Sequence, residues 1–372
     1  MNEKRNAFFT VGILVAVILA FTVADFMKED RVFSETENRL LASKPQFSRN
    51  ALLEGKYAEE YEEYITDQFI GRDKWIGIKT RTDILLQKKE INGVYLGKNH
   101  YLIEKHRSGD YTDQLITGKL ASLHKLVKKW DADVMLVPTA DNILTDKLPA
   151  YAQDFDQKAF LERVREEIGE EHYVNVYDKL WEHREEEIYY RTDHHWTSLG
   201  AYYGFQAWAE HKELFPYPYN IGNMTTVSDG FQGTLHSKIN IGTTQDSIQY
   251  FPETELRSVT VTYDLTEKTD CLYEYDYLDT KNQYGFFLDD NHGFVEIQTG
   301  YKNGKTLFVI KDSYANCMLP LLTTHYETIY VVDLRYFNGK LFSLMETYEP
   351  ENGMDVLVLY NCIHFLEDFK YY

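Results

Sequence analysis

Cysteine is scarce in this sequence, and its spacing matches no common metal or redox motif. The 372 residues include only Cys271, Cys317 and Cys362, and no two of them form a Cys-x-x-Cys pair. Cys317 and Cys362 both follow predicted strands of one sheet, so a disulfide between them is geometrically open. We nevertheless expect free, buried thiols.

Positive charge is also in short supply. The chain has 39 Lys and Arg against 59 Asp and Glu, a net charge of −20. Such a field repels nucleic acid and anionic membrane surfaces, which excludes a nucleic-acid partner. It favours a neutral or cationic substrate, unless cell-wall cations mask an acidic one. Solubility alone is a sufficient explanation of the charge.

One uncharged run near the amino terminus is long enough to cross a membrane. Residues 6–24 carry no charge, and as a helix they would rise roughly 28 Å. Lys4 and Arg5 precede the run, which predicts a cytoplasmic tip and an exported bulk. A cleaved signal peptide is the alternative, with Thr22-Val23-Ala24 as a passable cleavage site. We predict an uncleaved anchor over residues 1–30.

The remaining chain divides into two segments by composition and sequence pattern. Residues 31–95 are charged and helical in pattern, which predicts a stalk, and residues 96–372 form the predicted catalytic domain. Residues 92–103 predict two short strands around a Lys-Asn turn. An apolar stripe predicts a helix over Asp113–Trp130.

Short apolar runs then alternate with helical patterns. We predict strands over residues 133–138, 172–176, 306–310, 328–332 and 355–359, and helices that include residues 157–168. This alternation predicts an α/β fold, a mostly parallel sheet with helices on both faces. Between about 215 and 303, alternation at Val259, Val261 and Tyr263, and at Tyr273, Tyr275 and Tyr277, predicts an antiparallel β-rich insertion beside or over the site.

Ser313 is placed as a nucleophile would be. It follows the predicted strand 306–310 and begins a predicted helix over residues 314–322, so its hydroxyl lies at the mouth of the sheet. Its own N–H and the positive end of the helix dipole would stabilise an oxyanion there. A plain N-cap serine is the alternative.

The segment Asp193-His194-His195-Trp196 supplies the other groups. Thr197 or Ser198 can cap the next helix, so His195 lies where the dipole keeps the imidazole neutral. Asp193 can orient the ring, whereas His194 is the weaker candidate base. We therefore predict a triad of Ser313, His195 and Asp193. A capped helix with a buried His is one alternative. A metal site of Asp193, His194 and His195 is another, although adjacent ligands give awkward geometry and no HExxH motif is present.

Further donors are expected from loops at the same sheet edge. Asn361, Arg335 and Asn142 each come after a predicted strand and are candidates for the oxyanion hole or for substrate contact. Each could equally be a turn residue.

The sequence resembles the bacterial DHHW proteins. Asp193-His194-His195-Trp196 matches their signature, and the resemblance extends over nearly the whole chain. The other matching segments are Phe33–Arg39, Asn92–Gly97, Gly233-Thr234-Leu235 and Asp312-Ser313. More distantly, the chain is similar to the SGNH-hydrolase-like domain of exported alginate O-acetyltransferases, in which an Asp-x-His motif precedes the serine.

This resemblance implies an SGNH-like fold with circularly permuted motif order, since Asp193 and His195 precede Ser313. The chain departs from the SGNH pattern at Lys311, at Arg335 and at Tyr360-Asn361, where glycines are usual.

The implied function is an extracytoplasmic O-acetyltransferase or acyl esterase of surface or wall polysaccharide, with no cofactor or metal. The resemblance also implies a membrane-bound O-acyltransferase as acyl supplier. The glycine departures keep a second hypothesis open, a non-catalytic module that binds polysaccharide or scaffolds an export complex.

Overall fold

The computed structural model describes residues 2–34, 39–215, 217–240, 242, 244–255 and 258–371. Residues 35–38 of the Phe33–Arg39 motif lie outside the described residues. The chain divides into two compact units, Met1–Lys88 with Ser237–Gly242, and Lys89–His236 with Thr243–Tyr372. The predicted boundaries of stalk and catalytic domain stay a prediction.

The first unit begins with the predicted apolar helix. It covers Asn2–Met27, and its span Asn6–Asp25 has a mean hydropathy of 2.6. By length and composition this helix can cross a membrane, and a signal sequence would meet the same criterion. The two-residue strands Phe33–Ser34 and Arg39–Leu40 pair antiparallel. The remaining helices of this unit are Arg49–Leu53, Lys56–Gln68 and Arg72–Leu85.

A seven-stranded sheet forms the centre of the second unit. Its strands, numbered along the chain, are β1 (Asp133–Val137), β2 (Val259–Tyr263), β3 (Glu267–Thr269), β4 (Phe294–Thr299), β5 (Thr306–Lys311), β6 (Thr328–Asp333) and β7 (Asp355–Asn361). Their order is β3-β2-β4-β6-β5-β7-β1. The neighbours β6, β5, β7 and β1 are parallel, and β4, β2 and β3 extend the sheet antiparallel.

Burial explains why the parallel strands are mostly apolar. Every residue of β1 and β5 is buried, as expected for strands covered by helices on both faces. The predicted α/β class is therefore confirmed. The α-helices of this unit are Asp113–Trp130, Ala140–Ile143, Gln157–Ile168, Val176–Glu182, Ser198–His211, Leu319–Leu322, Leu341–Tyr348 and Cys362–Asp368, and Thr234–Ile239 ends among residues counted with the first unit.

Small strands lie outside the central sheet. Glu90–Ile91, Val94–Leu96 and Leu102–Glu104 form a three-stranded antiparallel sheet where two strands were expected. Thr225–Phe231 pairs antiparallel with Asp246–Tyr250. The β-rich character of residues 215–303 is thus present, although β2, β3 and β4 belong to the central sheet.

Three local predictions were wrong. Alternation at Tyr273, Tyr275 and Tyr277 gives no strand, because Tyr275–Asp279 is a 3₁₀ helix. The strand over 172–176 is reduced to one bridge between Tyr173 and Val134, since Asn175 already caps the helix Val176–Glu182. The helix over 314–322 is a 3₁₀ helix, Ser313–Cys317, followed by a short α-helix at whose start Pro320 lies. The three cysteines are free, and Cys317 and Cys362 are buried.

A buried cation ends β5, directly before the Asp312-Ser313 segment. Lys311 and Asp333 have fully buried side chains with Nζ and Oδ2 3.4 Å apart, and Lys311 Nζ donates to Asn316 Oδ1 at 2.8 Å. Asp333 also accepts two hydrogen bonds from the Arg335 guanidinium. Burial lowers the pKa of Lys311, and Asp333 opposes that effect. The pair joins the carboxyl ends of β5 and β6.

Replacing Asp333 tests this pair. Asp333→Asn should cost about 3–5 kcal/mol, because it leaves a buried ammonium without its counter-charge. The measurement is urea unfolding of the full chain in detergent. Glu346→Ala removes the exposed pair with Lys129 and should cost less than about 1 kcal/mol. Equal effects of the two substitutions would contradict the structural role of Asp333.

Candidate active site

Ser313 lies at the carboxyl edge of the parallel strands. It begins the 3₁₀ helix Ser313–Cys317, whose N-cap is Asp312. Asp312 Oδ1 accepts from the N–H of Tyr314 at 2.9 Å, and Asp312 Oδ2 accepts from the N–H of Asn361 at 3.0 Å. The turn after β5 is therefore tied to the end of β7.

His195 and Asp193 meet Ser313 there. His195 Nε2 lies 2.8 Å from Ser313 Oγ, and His195 Nδ1 lies 2.6 Å from Asp193 Oδ1. The helix Ser198–His211 begins just after His195, and its N-cap Thr197 accepts from the N–H of Gly200. The three side chains form one hydrogen-bonded chain, with a geometry that allows His195 to accept the proton of Ser313.

Asp193 is buried yet well supplied with donors. It accepts from the N–H of His195 at 3.0 Å, and from the N–H and hydroxyl of Thr234 at 2.7 and 3.0 Å. Burial alone would raise the pKa of Asp193, but His194, His195 and the Thr234 N–H outweigh burial and hold it well below its usual value. The carboxylate therefore stays ionised beside the imidazole.

Two hydrogen bonds fasten the histidine segment to the serine turn. Trp196 Nε1 donates to the carbonyl of Tyr314 at 2.8 Å, and the Tyr314 hydroxyl donates to the carbonyl of His194. Both rings are fully buried. The Trp of the Asp-His-His-Trp run thus sets the separation between His195 and Ser313.

Tyr284 packs against one face of the His195 imidazole. Its ring stacks on His195 with centroids 3.8 Å apart and planes 10° apart, and its hydroxyl donates to the Ser313 carbonyl at 3.1 Å. This one side chain therefore contacts the imidazole of His195 and the backbone of Ser313. Nothing in the local sequence predicted it, because its contacts join residues far apart in the chain.

A small cavity of about 90 Å³ borders Asp193 and His194. Its charged and imidazole lining comprises Glu104, His106, Asp141, His194, His364 and Glu367. Burial, together with His195, lowers the pKa of His194 to about 3. His364 Nδ1 lies 3.0 Å from Asp312 Oδ2, which makes a second Asp-His pair beside the nucleophile. His364 and Thr234 are site residues that our sequence reasoning did not assign.

The three predicted donors are all engaged within the chain. Asn361 Nδ2 donates to Asp312 at 3.0 Å, and Asn142 Nδ2 donates to the Phe155 carbonyl at 3.0 Å. Arg335 binds Asp333 through two nitrogens. Their part in an oxyanion hole or in substrate contact stays a prediction.

The alternative metal set is also geometrically present. One ligand atom from each of Asp193, His194 and His195 lies within 4.8 Å of the others. His195 Nδ1 is already bonded to Asp193, and His194 Nδ1 lies 2.7 Å from the Thr234 hydroxyl. A metal ion bound through these two nitrogens would have to replace both hydrogen bonds, so the set fits the hydrogen-bonded triad better.

Gly233 leaves no room for a side chain beside Asp193. A Cβ at Gly233 would lie 2.2 Å from Asp193 Oδ2, so Gly233→Ala must displace the carboxylate. We expect labelling of Ser313 by a sulfonyl fluoride to slow at least about tenfold, because the imidazole loses its orienting partner. Labelling rates are read by intact-protein mass spectrometry.

The matched control for this substitution is Gly230→Ala. A Cβ at Gly230 would meet only Gln245 Nε2 at 4.0 Å, so this variant should label at the parental rate. Parental labelling of Gly233→Ala would show that the position of Asp193 does not matter for Ser313.

Comparisons with known proteins agree with this architecture. The sequence model of the DHHW protein family matches residues 98–332, more than half of the chain. No curated protein sequence matched. A solved DHHW family protein from Eubacterium siraeum is 24% identical, with a TM-score of 0.63, and the match covers 74% of this chain and 93% of that one.

Two further solved structures are similar at lower identity. PatB1 of Bacillus cereus, solved with a sulfonyl adduct, is 19% identical with a TM-score of 0.58, over 75% of this chain and all of that one (100%). The O-acetyltransferase domain of Pseudomonas putida AlgJ is 13% identical with a TM-score of 0.44, over 75% and 94%. That last score is too low to establish a common fold.

Proposed function

Since the chain belongs to the DHHW protein family, we propose that it is an O-acetyltransferase or acyl esterase acting on cell-surface or wall polysaccharide. The observation that carries the proposal is the continuous chain Asp193–His195–Ser313, with separations of 2.6 and 2.8 Å. Such a chain supplies a nucleophile, its base and the group that orients the base.

The reaction runs in two halves. Ser313 Oγ attacks the acyl carbonyl carbon while His195 Nε2 takes its proton, and His195 then gives that proton to the leaving oxygen. In the second half, His195 takes a proton from a sugar hydroxyl or from water, whose oxygen attacks the acyl-serine. Ser313 leaves and recovers the proton. Asp193 keeps the proton of the neutral ring on Nδ1 and stabilises the imidazolium.

Burial of Ser313 and His195 favours transfer of the acyl group to a bound acceptor. Ser313 is only 6% exposed and His195 only 5%, so few water molecules can reach an acyl-serine. Exclusion of water favours transfer to a bound hydroxyl over hydrolysis.

The location that we propose for the reaction is based on the first helix. With Asn2–Met27 as an uncleaved anchor in the cell membrane, the triad would lie outside the cytoplasm. Acetyl-CoA is cytoplasmic, so an exported transferase needs acyl groups relayed through the membrane. A membrane-bound O-acyltransferase is the partner that we propose for this step.

One observation favours the second candidate, a non-catalytic module for polysaccharide binding or export. The Asn361 amide is bonded to Asp312, and Arg335 is bonded to Asp333, so neither is free to stabilise an oxyanion as placed. The experiment below separates the two functions.

Labelling by a sulfonyl fluoride, a probe suggested by the adduct of PatB1, tests the nucleophile. The full chain in detergent should gain one sulfonyl group on Ser313, located by peptide mass spectrometry. Ser313→Ala should lose labelling entirely. His195→Gln and Asp193→Asn should slow it by roughly 10³-fold or more, because the base or its orientation is lost.

Two controls accompany this test. Ser122→Ala removes a hydroxyl on the exposed face of the helix Asp113–Trp130 and should label as the parent does. EDTA should leave the rate unchanged, whereas loss with EDTA and recovery with zinc would favour a metal hydrolase. An unlabelled Ser313 with intact polysaccharide acetylation in cells that carry Ser313→Ala would favour the non-catalytic module.

A further inference from the structure

A second and larger concavity lies on the same unit as the triad. It has a volume of about 490 Å³, within the range of about 300–1,000 Å³ typical of ligand sites. Two stretches of chain provide most of its wall, residues 105–109 and residues 149–153. We call it the basic cleft, after the side chains described next.

The charge of the basic cleft is opposite to that of the whole chain. Lys89, Lys105 and Arg107 line it, with Glu90 as the one carboxylate in its lining. Lys105 Nζ is 2.5 Å from Glu90 Oε2, so that pair neutralises itself. Among the described residues, the side chains of Lys89 and Arg107 make no hydrogen bond or ion pair. The lining therefore carries more positive than negative charge, and cations in a concave wall attract an anion and concentrate it there.

Two tyrosines also line the basic cleft. Tyr151 is 99% exposed at the rim, and Tyr95 is buried at the wall. An exposed aromatic ring offers a flat apolar face on which a sugar ring can stack. The combination of cations and an exposed tyrosine suits a sugar polymer that carries negative charge.

The basic cleft shares a wall with the cavity beside the triad. Glu104 and His106 line the cavity next to Asp193, whereas Lys105 and Arg107, alternating with them, line the basic cleft. This wall is fixed on both sides of His106. Its N–H donates to Asp154 Oδ1 at 3.1 Å, and its carbonyl accepts from the N–H of Phe155 at 2.7 Å. The basic cleft is thus separated by one segment of chain from the cavity that borders Asp193.

We propose that the basic cleft binds an anionic stretch of the polysaccharide acceptor, with regularly spaced carboxylates or phosphodiesters. Lys89 and Arg107 contact the charges and Tyr151 stacks on a sugar ring. The proposal rests on the proposed function and adds to it the charge of the acceptor and the place where its neighbouring sugars bind.

Binding of labelled polymers to the full chain, in a polyoxyethylene detergent, tests this proposal. The probes are sodium polygalacturonate for carboxylates, poly(glycerol phosphate) for phosphodiesters and dextran as the neutral polymer, each followed by fluorescence anisotropy. We expect tighter binding of at least one anionic polymer than of dextran, weakening as NaCl rises from 50 to 300 mM. Whichever polymer binds identifies the anion.

Variants locate the binding. The double substitution Lys89→Ala/Arg107→Ala should weaken anionic binding at least about tenfold. Tyr151→Ala alone should also weaken binding of the anionic polymers. The control Lys125→Ala/Lys128→Ala removes the same charge from exposed positions of the helix Asp113–Trp130 and should bind as the parent does.

Two outcomes would overturn the proposal: dextran binding as tightly as both anionic polymers, or equal loss in the cleft and control variants. Sulfonyl labelling of Ser313 is measured on the same samples. Failure of labelling with intact polymer binding contradicts the proposed function, whereas labelling without selective binding contradicts only the basic cleft.

Discussion

The hydrogen bond between His195 Nε2 and Ser313 Oγ joins residues 118 positions apart, and the chemistry that we propose depends on it. A proton moves between these atoms only if both side chains stay within hydrogen-bond distance, so the backbone on each side must be fixed. The Trp196 and Tyr314 bonds fix the two segments directly. Tyr284 then stacks on the His195 ring and donates a hydrogen bond to the Ser313 carbonyl. Three aromatic side chains thus perform the alignment.

Buried charge is the second constraint on this edge of the sheet. Asp193, Asp312, Lys311 and Asp333 are all at most 3% exposed, and isolated burial of any of them would be prohibitive. Each is matched by a short-range partner: imidazoles and N–H groups for the first two, and one another for the last two. This close matching leaves little space around Asp193, where a Cβ at Gly233 would lie 2.2 Å from Oδ2. The same matching occupies the Asn361 amide and the Arg335 guanidinium, the groups that sequence position suggested for the oxyanion.

Local patterns predicted the parts of the fold that depend on local physics. The stripe over Asp113–Trp130 gave the helix limits, because 3.6-residue periodicity needs no knowledge of the partner. The strand at 172–176 failed because Asn175 starts a helix there, which competes with pairing. The tyrosines at 273–277 failed because alternation of bulky rings also suits an irregular aromatic cluster. Ser313 was predicted from its position after a strand, and His195 and Asp193 were predicted from their spacing just before a helix. Tyr284 and His364 escaped prediction because only tertiary contacts distinguish them from other aromatic and histidine residues.

Net charge illustrates the same limit for function. The total of −20 is a sum over the whole chain, and it suggested a neutral or cationic substrate. Salt at physiological strength screens exposed charges beyond about 8 Å, so a ligand in a cleft feels mainly the groups that line it. In the basic cleft these are three cations and one carboxylate. An acidic chain can therefore present a local site for an anion, while its remaining surface repels that anion. A polymer would then be held where it meets the cations and kept off the rest of the molecule.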